Sequence, residues 1–353
     1  MSLLSELTTL RLGGPAGRIV EARSEDEVVT AVGAADASGE PLLVLAGGSN
    51  VVIADDGFPG TVVRILTTGI ERDGSVLTVQ AGEPWDPLVA LAVDSGMAGI
   101  ECLSGIPGSV GATPIQNVGA YGQEVSEVIT AVRVYDRQRR EVQDLAPEQC
   151  GFSYRSSVFK RTPGRWVVLA VTFALDEQPE SRPLRYPELA RELGVEVGET
   201  APLHEVREAV LRLRRRKGMV VDPDDPDSVS AGSFFTNPIL DAAAFARFEE
   251  RVRAKLGDDA APPAFPEPDG RVKTSAAWLV ERAGFGRGYG TPSPIALSDK
   301  HTLAITNRGG GTATQLLALA REIATGVEQE FGVELVPEPV LVGHAWAESS
   351  GRV

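Results

Sequence analysis

Short apolar runs, separated by glycine, proline and aspartate, dominate the first half of the chain. They predict β-strands at residues 42–45, 61–65, 76–79, 131–135 and 166–169. Two amphipathic helical periods lie between them, residues 25–37, opened by Ser24, and residues 85–95, ended by Gly96. Strands mixed with helices in this way indicate an α+β or α/β protein and argue against an all-β fold.

The second half of the chain has stronger helical periods. They predict helices at residues 241–256, 276–283 and 312–331, and one clear strand at residues 303–306. Between the halves, residues 176–202 are rich in Glu and Pro, and the acidic, proline-containing run at residues 222–227 is typical of a linker. We therefore place a domain boundary between residues 176 and 225.

Length and cysteine usage narrow the class of protein. At about 150 residues per domain, a chain of 353 residues predicts two to three domains. The longest apolar run, residues 166–175, is too short to span a bilayer, and no basic residue precedes Arg11 to open a signal peptide. Two cysteines, Cys102 and Cys150, exclude a disulfide framework and favour a reducing compartment. We expect a soluble, cytoplasmic protein with no membrane partner.

Charge and histidine content limit the partners. The net charge is −15, from 34 basic and 49 acidic residues, which argues against nucleic acid as a partner. The three histidines lie far apart in sequence and form no zinc-site pattern, so no metal is expected. A basic cluster at residues 207–217 has two interpretations: a solvated helical face, or a helix end that meets a small anion such as a diphosphate.

Three glycine-bearing segments stand out in the first half: residues 46–50 (AGGSN), directly after a predicted strand, residues 104–112 (SGIPGSVGA) and residues 117–122 (NVGAYG). Consecutive backbone N–H groups in such turns can bind anions, and glycine allows close approach to a phosphate. None of the segments is a Rossmann G-x-G-x-x-G fingerprint or a Walker A loop. Each alone is typical of a plain turn, whereas the three in this order are far more specific.

The first two segments resemble the FAD-binding domain of the vanillyl-alcohol-oxidase or PCMH type. With the third segment, the chain resembles the MurB family of UDP-N-acetylenolpyruvoylglucosamine reductases, type I subgroup. Three further segments match the family: residues 154–160 (YRSSVFK), residues 231–238 (AGSFFTNP) and residues 337–340 (PEPV). The motifs are spread over residues 8–342, so the resemblance covers almost the whole chain.

The resemblance implies a cofactor and a reaction. FAD, bound non-covalently, would mediate hydride transfer from NADPH to C3 of the enolpyruvyl group of UDP-N-acetylglucosamine enolpyruvate. The matched loops assign FAD binding to Gly47, Gly48, Ser49, Asn50, Gly105, Ile106, Pro107, Gly108, Ser109, Gly111 and Ala112. Many members carry Arg two residues after the closing Glu, but this chain has Val340, so no flavin contact is expected there.

The chemistry of hydride addition explains why three polar residues are needed. Hydride at C3 leaves negative charge at C2, delocalised into the carboxylate, and the guanidinium of Arg155 suits this enolate-like species. By resemblance, Glu338 acts with Arg155 on the enol, and Ser233 is the proton donor to C2. An alcohol is a weak acid, so the assignment of Ser233 requires a strongly basic carbon. Taken singly, each of these residues is typical of a turn, an ion pair or a solvated side chain.

Substrate binding is assigned by the same resemblance. Lys217 matches a family lysine that contacts the UDP-sugar, and Arg214, one turn earlier, is a weaker candidate. Asn237 can both donate and accept hydrogen bonds, which suits an amide, a uracil edge or a sugar hydroxyl. Tyr186 matches the tyrosine loop that closes over the substrate diphosphate, although Pro187 and Glu188 stand where the family usually has Gly-Asp. Two residues in familiar segments, Lys273 and His301, are further candidates without an assigned role.

Two other classes of protein share some of these features. A PCMH-type oxidase acting on an alcohol or hydroxy acid often attaches its flavin through His or Cys. The first 200 residues contain no His, and Cys102 and Cys150 are more typical of buried core thiols. A non-catalytic scaffold with a vestigial flavin fold has no need of Arg155, Ser233 and Glu338 in matched motifs.

We therefore predict an α+β protein with three segments: a PCMH-type FAD-binding domain at residues 8–176, a tyrosine loop and basic connecting helix at residues 177–218, and a substrate-binding domain at residues 219–345. The end of the chain is expected to return and bring Glu338 to the flavin, and the protein is expected to be a monomer.

Overall fold

The computed structural model describes residues 2–346, which form a mixed α+β structure. Contacts divide the chain into two compact units, one made of residues 2–3, 15–49 and 58–221 and the other of residues 4–14, 50–57 and 222–346. They are called the first and the second unit below. The α-helices are Glu25–Ser38, Trp85–Asp94, Pro147–Cys150, Val158–Arg161, Pro187–Leu193 and Leu203–Arg216 in the first unit, and Ala242–Leu256, Ala276–Arg282 and Ala313–Phe331 in the second.

The first unit is built on two sheets. In the antiparallel five-stranded sheet the strands follow the order Glu141–Leu145, Ile129–Asp136, Trp166–Ala174, Val76–Gln80 and Ile70–Asp73. In the parallel three-stranded sheet, Phe58–Ile65 lies between Ala16–Ala22 and Leu42–Leu45. Short strands complete the unit: Met97–Ala98 with Asp176–Glu177, and Gly119–Ala120 with Gln123–Glu124.

One apolar core joins these sheets to the helices Glu25–Ser38 and Trp85–Asp94. The side chain of Trp85 is fully buried in it, and its indole N–H donates to the carbonyl of Leu103 at 3.0 Å. Buried indoles need such a partner because an unmatched N–H would lose its hydrogen bond to water. The bond thereby ties the start of the second helix to the loop that leads into the second glycine segment.

The basic helix Leu203–Arg216 belongs to the first unit and packs against Pro187–Leu193. Apolar residues of the two helices and the preceding loop form a small separate core, which includes Leu184, Leu189, Val206, Val210 and Leu213. The apolar positions of the longer helix recur at helical spacing, so one of its faces is buried while most of its arginines lie on the other. This packing fixes the end of the helix, where Lys217 is the C-cap residue.

The second unit combines small sheets with three helices. Ala304–Asn307 lies between Ser230–Ser233 and Ile295–Leu297 in an antiparallel sheet, and Val272–Lys273 pairs with both Ile239–Leu240 and Phe265–Pro266. The strand Val340–Val342, near the end of the chain, pairs in parallel with Val51–Ile53 from its beginning. The helix Ala313–Phe331 supplies much of the apolar core of this unit.

The predicted strands and helices are confirmed. Most of their ends move by no more than two residues, but the strand predicted at residues 61–65 begins at Phe58 and the one predicted at residues 166–169 extends to Ala174. Ser24 accepts the N–H of Glu27 and caps the first helix, as its sequence position predicts, and Asp241 and Thr312 cap two later helices in the same way. The α+β class is confirmed as well. The domain limits drawn from the sequence remain a prediction. Within residues 2–346, no helix is long and apolar enough to cross a membrane.

Candidate active site

Backbone contact joins the first two glycine segments in the first unit. A Cβ atom added to Gly47 would lie 2.7 Å from the Cα of Gly108, closer than real side chains approach. A Cβ added to Gly108, whose φ is +117°, would lie 2.5 Å from the Oγ of Ser49. Glycine is therefore required at both positions, because any side chain would push the two turns apart. The structure thus brings together two sets of residues that the sequence assigns to one cofactor.

Hydrogen bonds fix the second glycine segment to the turn that follows the strand Val76–Gln80. The N–H groups of Val110 and Gly111 donate to the carbonyls of Glu83 and Ala81 at 2.9 and 2.8 Å. Next to them, the hydroxyl of Ser109 is buried and has no hydrogen-bond partner within residues 2–346. A buried hydroxyl without a partner is costly, by about 1–3 kcal/mol. A ligand oxygen at Ser109 would remove this cost, so these turns fit the FAD that the sequence predicts.

An ion pair supports the entry to the same segment. The N–H of Gly105 donates to Oδ1 of Asp86 at 2.6 Å, and Arg207 donates to both oxygens of Asp86 at 2.7 and 3.0 Å. Burial raises the pKa of Asp86, but the hydrogen bonds from Arg207 and Gly105 outweigh it, so its pKa lies below the ordinary value. Sequence reasoning missed Asp86 because an acidic residue in the first turn of a helix is common.

The third glycine segment holds Arg155. The guanidinium of Arg155 donates to the carbonyls of Asn117 and Gly119, and it lies 5.2 Å from the ring of Tyr154. The φ angles of Asn117 and Arg155 are +49° and +51°, in the left-handed region that side chains rarely adopt. Such strained conformations persist only where the surroundings enforce them, and they are frequent at active sites. Arg155 is therefore a positioned cation in the first unit.

In the second unit the segments of Ser233 and Glu338 are adjacent. Ser233 ends its strand opposite Ala304, and Phe234 donates to the carbonyl of Leu303 at 2.7 Å. The N–H of Glu338 donates to the carbonyl of Phe234 at 2.8 Å. Both Phe234 and Phe235 are buried, and they anchor this turn in the core, as expected. The structure thus places two of the three predicted catalytic residues on neighbouring backbone segments.

Asn50, assigned to the cofactor, lies beside Glu338 in the same unit. Its carbonyl accepts the N–H of Val340 at 3.0 Å, and its side-chain amide donates to the carbonyl of Glu338 at 3.4 Å. The residues that follow continue this contact, because Val340–Val342 pairs in parallel with Val51–Ile53. The sequence indicated that the chain end returns, but not that it pairs directly after the first glycine segment.

The residues assigned to the substrate diphosphate form an aromatic and ionic cluster in the first unit. Tyr186 meets the ring of Tyr121 edge-on with centroids 5.4 Å apart, and the Nζ of Lys217 lies 5.7 Å from the Tyr121 centroid. Lys217 also forms an ion pair with Glu188. Burial raises the pKa of Tyr121 to about 12, so its hydroxyl stays protonated at neutral pH. Tyr186 is 40% exposed and remains open to a ligand.

The other two substrate candidates have contacts of their own. Arg214 is buried, and burial lowers its pKa from the ordinary value; one of its nitrogens donates to the carbonyl of Met219 at 2.8 Å. The amide oxygen of Asn237 accepts the N–H of Ala276 at 2.9 Å and so secures the start of a helix. An amide oxygen can accept a second hydrogen bond and the amide nitrogen carries two N–H donors, so this contact leaves the side chain of Asn237 able to meet a ligand.

The two residues without an assigned role both lie in the second unit. Lys273 pairs with Glu267 at 2.7 Å. His301 lies with its Nε2 3.5 Å from the Oγ of Ser233. The sequence could not show the second contact, because 68 positions separate the two residues. In the helix Leu203–Arg216, the side chains of Arg212 and Arg216 are about half exposed, as a solvated helical face predicts, and both form ion pairs with Glu192. Arg207 forms an ion pair with Asp86. The alternative, that the helix end meets a small anion, stays a prediction.

Comparison with known proteins agrees with this geometry. Residues 16–144 match the model of an FAD binding domain, and residues 224–342 match the C-terminal domain of UDP-N-acetylenolpyruvoylglucosamine reductase. A protein named UDP-N-acetylenolpyruvoylglucosamine reductase from Thermobifida fusca is 57% identical over 345 residues, 96% of each chain. A protein of the same name from Streptomyces avermitilis is 58% identical over 341 residues, covering 96% of this chain and 93% of its own.

A solved structure shares the fold. The crystal structure of UDP-N-acetylenolpyruvylglucosamine reductase (MurB) from Thermus caldophilus covers 97% of both chains with a TM-score of 0.65 and 25% identity. With the two joined glycine turns, the match to an FAD-binding domain defines a flavin-dependent oxidoreductase with a PCMH-type FAD-binding domain. The chain belongs to the UDP-N-acetylenolpyruvoylglucosamine reductase family, which confirms the resemblance seen in its sequence.

Proposed function

We propose that this chain reduces the enolpyruvyl ether of UDP-N-acetylglucosamine enolpyruvate with NADPH, and that Arg155, Ser233 and Glu338 carry the reaction. The product is UDP-N-acetylmuramate, a precursor of peptidoglycan. This is the reductive reaction for which the relatives are named, and their similarity extends over both units of the chain. The observation that best supports the residue assignment is the hydrogen bond between the N–H of Glu338 and the carbonyl of Phe234, next to Ser233.

FAD supplies hydride transfer when bound, and the two glycine turns are the part of the chain that holds it. The buried hydroxyl of Ser109 would donate to an oxygen of the bound cofactor, and Gly47 and Gly108 keep the turns free of side chains. We expect NADPH and the sugar nucleotide to use the same face of the flavin one after the other. NADP⁺ would then leave before the sugar nucleotide binds, so we expect ping-pong kinetics. Formation of a ternary complex would contradict this order.

Arg155 stabilises the charge that develops on the substrate. Hydride addition at C3 makes C2 carbanionic, and the adjoining carboxylate takes up this charge as an enolate. The carbonyls of Asn117 and Gly119 hold the guanidinium in one orientation before the substrate arrives. A preoriented cation is effective because it does not have to reorganise as charge develops.

Ser233 and Glu338 complete the proton chemistry. The hydroxyl of Ser233 donates its proton to C2, which forms the new C–H bond, and Glu338 hydrogen-bonds the enol with Arg155. Phe234 and Phe235 fix the turn that carries Ser233, because both rings are buried and meet edge-to-face with centroids 5.2 Å apart. A turn fixed in this way limits the positions from which the hydroxyl can reach C2.

Lys217, Tyr186, Arg214 and Asn237 bind the sugar nucleotide. Lys217 neutralises the diphosphate, and Tyr186 closes over it from the start of the helix Pro187–Leu193. The ion pair between Lys217 and Glu188 supports this assignment, since the lysine already binds an oxyanion. Asn237 donates its amide hydrogens to the sugar or the uracil.

An anaerobic titration tests the proposed reaction. The purified protein is examined between 350 and 500 nm, treated with one equivalent of NADPH, and then given UDP-N-acetylglucosamine enolpyruvate. Bleaching by NADPH, followed by recovery of the yellow spectrum on addition of the substrate, is the expected result. Bleaching without recovery would assign the chain to another flavin-dependent reaction. A protein that takes up no FAD would contradict the cofactor as well.

We also propose that the protein is a cytoplasmic monomer. Its proposed substrates, NADPH and a UDP-activated sugar, are cytoplasmic metabolites, and Cys102 and Cys150 are both buried free thiols, as a reducing compartment allows. Sedimentation equilibrium of the flavin-loaded protein checks the monomer against the 37.3 kDa of one chain.

A further inference from the structure

The hydroxyl of Ser233 and the imidazole of His301 lie within hydrogen-bond distance. The Oγ of Ser233 and the Nε2 of His301 are 3.5 Å apart, at the long end of the range. Catalytic hydrogen bonds are often long before the substrate binds and shorten in the complex. Both residues belong to the second unit, and Ser233 pairs with Ala304, three positions after His301.

The turn that carries His301 is fixed independently of Ser233. The N–H groups of Lys300 and His301 donate to the Oγ of Ser298 at 3.0 and 3.2 Å, and Ser298 is fully buried. The carbonyl of His301 accepts the N–H of Ala304 at 3.1 Å. Lys300 and His301 are therefore tied to a buried hydroxyl, and His301 is also tied to the first residue of the strand Ala304–Asn307. The position of the imidazole beside Ser233 follows from this turn and from the strand pairing.

Ser233 needs a proton source if it is the donor to C2. A serine hydroxyl that loses its proton alone becomes an alkoxide, a much stronger base than any group nearby in a protein. The proton loss becomes favourable when a second proton reaches the oxygen as the first one leaves. Histidine is the side chain best suited to this task, because its ordinary pKa of about 6.5 allows it to give up and regain a proton near neutrality.

We infer that His301 donates a proton to the Oγ of Ser233 and so replaces the one that Ser233 delivers to C2. His301 thereby acts as a positioning and relay residue for the proposed reaction. The carbanionic C2 takes the hydrogen of the Oγ–H group and forms a C–H bond. As the O–H bond breaks, the Nε2–H of the imidazolium donates its proton to the same oxygen, and the ring becomes neutral. The hydroxyl is restored, and the imidazole regains a proton from water before the next turnover.

This inference rests on the proposed function, so the test separates the two. The flavin-loaded protein is studied by anaerobic stopped flow, with reduction by NADPH and reoxidation by UDP-N-acetylglucosamine enolpyruvate measured separately at 450 nm. His301→Ala and His301→Gln are compared with His204→Gln, which changes a histidine whose side chain is 69% exposed and which lies in the first unit. Reduction by NADPH is expected to remain within about threefold of the wild-type rate in all three variants.

Reoxidation is expected to fall by roughly 10–100-fold in both His301 variants and to be unchanged in His204→Gln. The loss is smaller than the roughly 100- to 10,000-fold of a full general-acid contribution, because the hydroxyl of Ser233 is still present. Added imidazole is expected to restore part of the rate of His301→Ala, because it refills the space and supplies a proton. Wild-type reoxidation by both His301 variants would overturn the inference and leave the proposed function intact. Full activity of His301→Gln alone would also overturn it, since glutamine preserves a hydrogen bond but relays no proton. A wild-type protein that the substrate does not reoxidise would overturn both.

A second measurement does not depend on turnover. The ¹⁵N resonance of His301 Nε2 is followed by NMR in the wild-type protein and in Ser233→Ala, with the ring of His204 as the internal reference. Loss of the hydroxyl partner is expected to shift the His301 resonance and to leave that of His204 in place. An unchanged His301 resonance would show that the two side chains do not interact and would overturn the relay.

Discussion

The carboxylate of Glu188 lies 2.6 Å from the Nζ of Lys217. Two further ion pairs of the same short helix, from Glu192 to Arg212 and Arg216, tie it to the basic helix. Glu188 thus forms an ion pair with Lys217, the cation that we assign to the substrate diphosphate. The family usually has Asp at this position, after Gly instead of Pro187. The longer side chain of Glu188 lets a carboxylate reach Lys217 from a helix whose first residue is proline.

We expect Glu188→Gln to bind the sugar nucleotide more tightly, because the diphosphate no longer competes with a carboxylate for Lys217. The side chains of Lys217 and Glu188 are 27% and 39% exposed, and a pair of this kind contributes at most about 1 kcal/mol. The KM for the substrate is therefore expected to fall by about two- to fivefold with kcat nearly unchanged. Glu192→Gln is the matched control. An unchanged KM in Glu188→Gln would show that the carboxylate does not oppose substrate binding.

A second prediction concerns the support of the flavin-binding turn. Asp86→Ala removes the acceptor of the Gly105 N–H and the partner of Arg207. A hydrogen bond to a charged group contributes about 1.5–3 kcal/mol, so we expect the affinity for FAD to fall by roughly 10–100-fold. Fluorescence titration of the apoprotein with FAD measures this change. Asp94→Ala is the control on the same helix, because the side chain of Asp94 is 70% exposed. Equal FAD affinities in the two variants would refute the role of Asp86.

The same pair predicts how stability depends on pH. The pKa of Asp86 is lower in the folded protein than its ordinary value of 3.8, so the folded state releases its proton more readily than the unfolded chain. Its contribution to the free energy of unfolding is therefore complete above pH 3.8 and is lost as the pH falls through the folded pKa.

Urea unfolding of the wild-type protein and Asp86→Asn at a series of pH values checks this sign. We expect the wild-type protein to be more stable by about 1–2 kcal/mol between pH 5 and 8, with the gap closing below about pH 4. A gap that stayed constant into the acid range would show that the carboxylate charge contributes nothing to the difference.

Most of the fold and part of the candidate site could be predicted from local sequence patterns. The helix caps Ser24, Asp241 and Thr312 could be predicted because a cap depends on residues within one turn. The glycine requirement at Gly47 and Gly108 followed from the chemistry of phosphate-binding turns, although their mutual contact did not. Contacts between distant positions could not be predicted from local patterns. The pairing of Val340–Val342 with Val51–Ile53, for example, depends on tertiary structure alone.

The basic helix shows what a charge pattern leaves out. Arg212 and Arg216 are exposed, as a solvated helical face predicts, but the pattern did not show that Arg207 supports the second glycine segment through Asp86 or that Arg214 is buried. A sequence gives the number and spacing of charges but not the acidic partners that the fold supplies from other elements. The family resemblance identified Arg155 and Ser233 as candidates. Only the structure shows the carbonyls that hold the guanidinium of Arg155 and the imidazole of His301 beside Ser233.

The last prediction separates chemistry from structure at Ser233. In Ser233→Ala the reduction of the flavin by NADPH is expected to proceed as in the wild-type protein, because no proton has to reach C2 in that step. Reoxidation by the enolpyruvyl substrate is expected to slow by roughly two to four orders of magnitude, the usual size of a general-acid contribution. Ser233→Cys, whose thiol is a stronger acid, is expected to recover part of the rate. Stopped-flow absorbance at 450 nm resolves both steps. If both fell together, Ser233 would serve the structure of its turn, where the strand Ser230–Ser233 meets the buried ring of Phe234, and the proton at C2 would have to come from another group.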